Sequence, residues 1–150
     1  MYNESGYPYF KNEDGSEKIN TRSFNSFDID GVIYLDGGIT GIFPGPEDII
    51  ITGRSFEELP ETDKMLKSRG IHNQVFYNNI QFNLKTRSKS AEHKALTIHR
   101  LVVEYGYKHG VHYEDDPLQI DVMRTLIPWV KIIHVNSAGM VELENTRHYV

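Results

Sequence analysis

The chain reads as an α/β protein: a Rossmann-like, doubly wound, mainly parallel five-stranded sheet with helices on both faces and a short β-hairpin flap. Two observations predict it. Five short apolar runs, "SFNSF", "DIIIT", "QVFYN", "GVHYE" and "VKIIHV", recur between residues 23 and 135. Helical patterns alternate with them, and that alternation belongs to parallel sheets with crossover helices.

Residues 1–22 are polar and turn-rich, with Asp14-Gly15 set between "YPYF" and "KINTRSF". They are expected to form an N-terminal arm or loose hairpin ahead of a single domain at 23–150. The first strand, "SFNSF", is less apolar than a strand buried on both faces should be. "YLDGGITGIFPGPE" follows and is rich enough in Gly and Pro to be a hairpin flap. After "DIIIT", the stretch "SFEELPETDKMLKSRG" offers Ser55 and Glu58 as a capping box, Pro60 as a helix restart and Gly70 as a stop. In "SAEHKALTIHRLVVEYG", Ala91, Ala95, Ile98, Leu101, Val102 and Tyr105 recur at helical spacing, with Ser90 as the expected N-cap and Gly106 beyond the end. Pro117 suits a first helical turn after "EDD", and Ile120, Met123, Leu126 and Ile127 form the last apolar stripe before Pro128.

With 150 residues, 39% of them apolar and 25% charged, the composition is that of one ordinary globular domain. No apolar run approaches the roughly 20 residues that span a bilayer, so no membrane partner is expected. The first residues lack both a basic start and an apolar stretch, and cysteine is absent, which together point to a cytoplasmic protein without disulfides or thiolate metal sites. A net charge of −5 argues against non-specific wrapping of nucleic acid. The seven histidines share no metal-ligand spacing, and His93 and His99 read as a solvated helix face.

Ligands of open α/β sheets bind outside the carboxyl ends of the strands. Asp28 and Asp30 follow the first strand, Thr52, Gly53 and Arg54 the second, and Glu114, Asp115 and Asp116 the fourth. Lys94 lies four residues before Ile98 and seven before Leu101, which puts an ammonium on the sheet-facing stripe of its helix. Such a lysine calls for anionic company.

The ordered set, "DIDGV", then a strand ending in "TGR", then a helix-borne lysine, then an acidic cluster, resembles the haloacid dehalogenase superfamily of phosphotransferases over residues 23–135. The resemblance implies a phosphatase in which Asp28 is the nucleophile that forms an aspartyl-phosphate. It makes Asp30 the acid that protonates the leaving oxygen and then activates water. Thr52, with the neighbouring backbone N–H groups at Gly53 and Arg54, would hold phosphoryl oxygens, and Lys94 would neutralise the phospho-enzyme. Mg2+ is the implied cofactor, held by the Asp28 side chain, the Asp30 backbone carbonyl and an acid of "EDD": Asp115 first, Asp116 second, with Glu114 and Asp121 as further alternatives. Receiver domains of two-component signalling use similar groups, but in them the lysine comes last, whereas here it precedes the terminal acids.

No room exists for the inserted cap that closes over small substrates in this superfamily, so the site is expected to be open and suited to a phosphate on something large: a polynucleotide end, a nucleotide or a phosphoprotein. "LKTRSKSAEHK" adds Lys85, Arg87 and Lys89 as a basic rim for a second phosphate. The alternative from another class is a catalytically silent module of the same fold that only binds phosphorylated ligands.

Overall fold

A computed structural model describes residues 22–35, 40–136 and the backbone of Val141–Glu142. The expected N-terminal arm therefore lies outside the described residues, except for Arg22. Five strands run parallel: β1 (Ser23–Phe27), β2 (Ile49–Ser55), β3 (Val75–Asn78), β4 (Lys108–Glu114) and β5 (Ile132–Val135). A sixth, β6 (Val141–Glu142), adds antiparallel to β5, giving the order β3-β2-β1-β4-β5-β6. The chain winds outward from β1 through β2 to β3, then returns to place β4 on the other flank of β1. This makes the β1/β4 boundary the switch point where α/β sheets open a crevice.

Both faces are covered. Adjacent residues of a strand point to opposite sides, and Ile50 and Ile51 of β2 divide accordingly. Ile51 joins Phe24, Phe76, Ala91, Ala95, Ile98, Met123 and Ile132 in a cluster beneath helices α2 (Arg87–His99) and α3 (Pro117–Leu126). Ile50 joins Phe27, Ile33, Tyr34, Leu66 and Val135 beneath α1 (Leu59–Ser68) and the chain that follows β1. The two sides of the flap pair antiparallel, with Gly41 and Ile42 N–H donating to the carbonyls of Ile33 and Val32 at 2.8 Å each; residues 36–39 lie outside the described residues.

Helix punctuation holds with one displacement. Residues Phe56–Glu58 form a 3-10 turn before α1, and Pro60 stands in the first turn of α1, with the Glu58 carboxylate accepting from the Ser55 N–H at 2.7 Å. α2 begins a turn earlier than the Ser90 cap predicts: Thr86 is the N-cap, its hydroxyl accepting from the Lys89 N–H at 3.1 Å. Ser90 is buried inside the helix, where Asn78 contacts its hydroxyl at 3.4 Å. After His99 the helix widens into a π segment, Arg100–Glu104.

Candidate active site

Strand β1 ends at Phe27, and the next residue turns its carboxylate into the crevice at the switch point. Asp28 is buried; its N–H donates to the Tyr113 carbonyl across the β1/β4 ladder at 3.1 Å, and its Oδ1 accepts from the Ile29 N–H at 2.9 Å. Gly31, at φ +80°, shapes the turn that follows. A Cβ there would be strained by its backbone and would collide with the Asp115 carboxylate. The glycine after the two aspartates thus lets the acid that follows β4 approach.

Lys94 meets these acids from α2. Its Nζ lies 2.8 Å from Glu114 Oε1, 2.7 Å from Gln119 Oε1 and 3.3 Å from Asp28 Oδ2, which uses all three ammonium hydrogens. Burial lowers the lysine's pKa, but the charges of Asp28 and Glu114 outweigh it and hold it above the ordinary value. The acids remain in excess. Asp28, Glu114 and Asp115 each bring a ligand oxygen within 4.8 Å of the others, the one such group among the described residues. Burial, then the Glu114 charge, push Asp28 up to about 8; burial, then the Asp28 and Glu114 charges, push Asp115 up to about 8. One lysine facing three carboxylates leaves a protein-built preference for more positive charge.

That group sorts the expected acids. Asp115 belongs to it, and so does Glu114, the last residue of β4 and fully buried. Asp116 stands apart as the N-cap of α3, accepting from the Leu118 N–H at 3.0 Å and from Arg87 Nε at 2.8 Å. Asp30 is exposed on the rim, where it takes both Arg54 Nε at 2.9 Å and Nη2 at 2.7 Å. Arg54 also reaches Thr62 Oγ1 at 3.1 Å. Thr52 is buried in the middle of β2, which runs on through Gly53 and Arg54 to Ser55; its hydroxyl accepts from the Arg54 N–H at 3.0 Å, and Gly53 packs against Ser90 so closely that a Cβ would lie 2.9 Å from its Oγ.

Of the basic run, Lys85 pairs with Glu58 at 2.7 Å and Arg87 with Asp116, while Lys89 has no acidic partner among the described residues. Asp28, Asp30, Gly53, Arg54, Lys85, Arg87, Lys94, Asp115 and Asp116 all border one open cleft of about 490 Å³. Thr52, which is fully buried, and Lys89 are not among its lining residues.

Three participants were not singled out by the sequence. Gln119 receives Lys94 from the first turn of α3. His112 is buried in β4, with Nε2 3.0 Å from Glu114 Oε1 and Nδ1 2.7 Å from Ser26 Oγ. His134 on β5 stands 3.1 Å from the Asp115 carbonyl. A signal for one of them existed: His112 and Glu114 are two apart in a strand and so share a face. His93 is no solvated residue, since its Nε2 lies 3.3 Å from the Phe76 carbonyl and burial pulls its pKa down to about 4.

No family model matches the chain, and comparison with curated proteins and with solved structures finds no match either.

Proposed function

We propose that this protein is a phosphomonoesterase of the haloacid dehalogenase type, working through a phosphorylated Asp28 with a divalent cation, Mg2+ by the chemistry of the ligands. The observation that carries it is the convergence of Asp28, Lys94, Glu114 and Asp115 at the β1/β4 switch point. Three carboxylates are hard oxygen donors of the kind Mg2+ takes, and their excess charge over one lysine fits a dication. Asp28, Glu114 and Asp115 would hold it, and when bound it would keep Asp28 ionised and offset charge on the phosphoryl oxygens.

The remaining chemistry belongs to the chain. Asp28 Oδ attacks phosphorus from a position fixed by the β1/β4 ladder, and the bond to the leaving oxygen breaks. Lys94, desolvated and aimed at the same spot, neutralises charge where little water screens it. Thr52 accepts from the Arg54 N–H and so fixes the stretch of β2 that carries Gly53 and Arg54 at the cleft. Arg54 holds Asp30 on the rim; an arriving phosphate competes for the guanidinium and releases Asp30. The released Asp30 passes a proton, drawn from solvent, to the leaving oxygen. Water then attacks phosphorus, gives its proton to Asp30, and regenerates Asp28 with release of inorganic phosphate.

The open cleft suits a phosphate at the end of a large molecule, such as a nucleotide, a polynucleotide end or a phosphoprotein. A screen of phosphomonoesters with Mg2+ and with EDTA tests the reading. Hydrolysis that needs Mg2+ and disappears in Asp28→Asn supports it; binding without turnover across the screen favours the silent ligand-binding module instead.

A further inference from the structure

A chain of polar side chains runs through the interior of the sheet behind the site. His109 Nε2 lies 2.9 Å from Ser26 Oγ, Ser26 Oγ 2.7 Å from His112 Nδ1, and His112 Nε2 3.0 Å from Glu114 Oε1. Ser26, His112 and Glu114 are each fully buried. Buried polar groups of this kind are tolerated when every one is bonded, and the order of donors follows from one fixed end. The Glu114 carboxylate accepts only, so His112 must present Nε2–H to it; a bare Nε2 would set lone pair against lone pair. Nδ1 is then the acceptor, the Ser26 hydroxyl gives its proton to Nδ1, and the Ser26 oxygen accepts from His109 Nε2–H.

Glu114 needs such support. Lys94 divides its hydrogens among Glu114, Gln119 and Asp28, so it does not by itself fix the plane of the carboxylate. Lys94 and His112 both fall on Oε1, which leaves Oε2 with only a long 3.4 Å contact from the Asp116 N–H besides its fellow acids.

We infer that His112, presenting Nε2–H to Glu114 and held at Nδ1 by the Ser26 hydroxyl, is a positioning residue that turns Glu114 Oε2 toward a divalent cation shared with Asp28 and Asp115. This rests on the metal site of the proposed function, and it places the orienting imidazole behind a carboxylate ligand. Partners of this rank typically govern metal affinity by about 10–100-fold.

The test uses the full chain and Mg2+ alone. Long-range 1H–15N spectra of the wild type, with the His112 signals identified by their loss in His112→Gln, should show the Nε2–H tautomer. Calorimetry should find Mg2+ binding weakened about 10–100-fold in His112→Leu, and restored to within a few-fold in His112→Gln, whose amide N–H can replace Nε2–H. A purely structural role would lower the melting temperature of both variants and leave the Mg2+ affinity of the folded protein unchanged. Should His112→Leu fail to fold, Ser26→Ala serves: with no hydroxyl to hold Nδ1 the imidazole is less firmly placed, so Mg2+ binding should weaken while His112 keeps the Nε2–H tautomer that Glu114 requires. The Nδ1–H tautomer in the wild type, or unaltered Mg2+ affinity in the folded variants, overturns the inference even if the protein hydrolyses phosphate esters. Mg2+ binding that depends on His112 in a protein that hydrolyses nothing upholds the inference while removing the phosphatase reading.

Discussion

The floor of the cleft and its rim use the same residue types in opposite proportions. On the floor Lys94 stands alone against Asp28, Glu114 and Asp115, all inside a group of mutually close ligand atoms. On the rim each cation has its own acid: Arg54 with Asp30, Lys85 with Glu58, Arg87 with Asp116. Charge in water is cheap to hold and largely screened, whereas charge out of water must be matched or it shifts its protonation. The floor is therefore built with an imbalance that a dication or protons must correct, and the rim is already neutral without help. Charge counted along the sequence cannot tell these apart, because the partners of Lys85, Arg87 and Arg54 lie 27, 29 and 24 residues away.

The largest expected effect falls on the floor. Asp28→Asn removes the proposed nucleophile and should, on that reading, lower kcat by about 10^4-fold or more, the scale seen when a covalent catalyst is deleted. It also removes one of three crowded acids. In EDTA near neutral pH, thermal unfolding should therefore occur at a higher temperature than in the wild type. A destabilised Asp28→Asn protein would show that the floor is balanced as it stands, and the contrast with the rim would be lost.

Removing the lysine breaks the floor in the other direction. Lys94→Ala leaves two buried carboxylates, Asp28 and Glu114, and the half-buried Asp115 with no cation; deleting one partner of a buried pair costs about 3–5 kcal/mol. Urea unfolding in EDTA should show that loss, and Mg2+ should recover more stability in this variant than in the wild type. Loss of kcat should accompany it. An unchanged urea midpoint in EDTA would mean that the acids hold protons in place of the lysine's charge.

Much of the fold was legible because its signals are local, and the site's deeper parts were not because theirs are pairwise. The five strands were found from apolar runs, and "SFNSF" looked weak for a reason now visible: Ser26 serves His109 and His112, and Asn25 Oδ1 accepts from the Val111 N–H at 3.0 Å. A polar residue in a buried strand is tolerable when a neighbouring strand supplies its partner, and no single strand carries that information. The start of α2 was misplaced because serine ranks above threonine as a cap by residue type alone, which favours Ser90 over Thr86; burial of Ser90 against Gly53 and Asn78 decides for Thr86. Asp116 had a local signal, since an Asp before Pro117 reads as an N-cap followed by a first-turn proline. It fills that role, while Glu114 joins Asp28 and Asp115.

A smaller effect sharpens the contrast through pH. The pKa values of Asp28 and Asp115 rise on folding, from 3.8 to about 8. Stability gained that way is fully present below 3.8 and is lost as pH rises through about 8, because the folded state binds the extra protons. Mg2+ held by these acids, as proposed, would replace those protons. The rise in melting temperature produced by Mg2+ should therefore be small at about pH 6 and grow to its largest value at about pH 8.5. His109 and His112, pulled down to about 3 by burial, act with the opposite sign: their contribution is present above 6.5 and lost as pH falls toward 3. They destabilise the fold only on the acid side and leave the alkaline trend intact. A Mg2+ effect that shrinks with rising pH would contradict the crowded floor.

The smallest effect belongs to the rim. A run of Lys85, Arg87 and Lys89 reads in sequence as a basic rim for a second phosphate, and neutralising such a rim raises KM in a salt-sensitive way. The pairs alter the arithmetic: Lys85 and Arg87 already face Glu58 and Asp116, so replacing all three by alanine removes three positive charges but sets two acids free beside the cleft. An attractive net field of the rim then comes only from Lys89, which does not line the cleft. Partly exposed pairs contribute about 0–1 kcal/mol, so Lys85→Ala should lower stability within that range. Double variants that delete each pair whole, Lys85→Ala with Glu58→Ala and Arg87→Ala with Asp116→Ala, separate the two readings. If the cations act only within their pairs, each double variant should bind substrate with KM within a few-fold of the wild type, whereas the single lysine or arginine variants should raise KM through the acid left behind. If the cations bind a second phosphate directly, deleting the pair should raise KM as much as deleting the cation alone. Steady-state kinetics at two salt concentrations distinguishes them, because the repulsion left by a freed acid fades with added salt while a lost contact does not return.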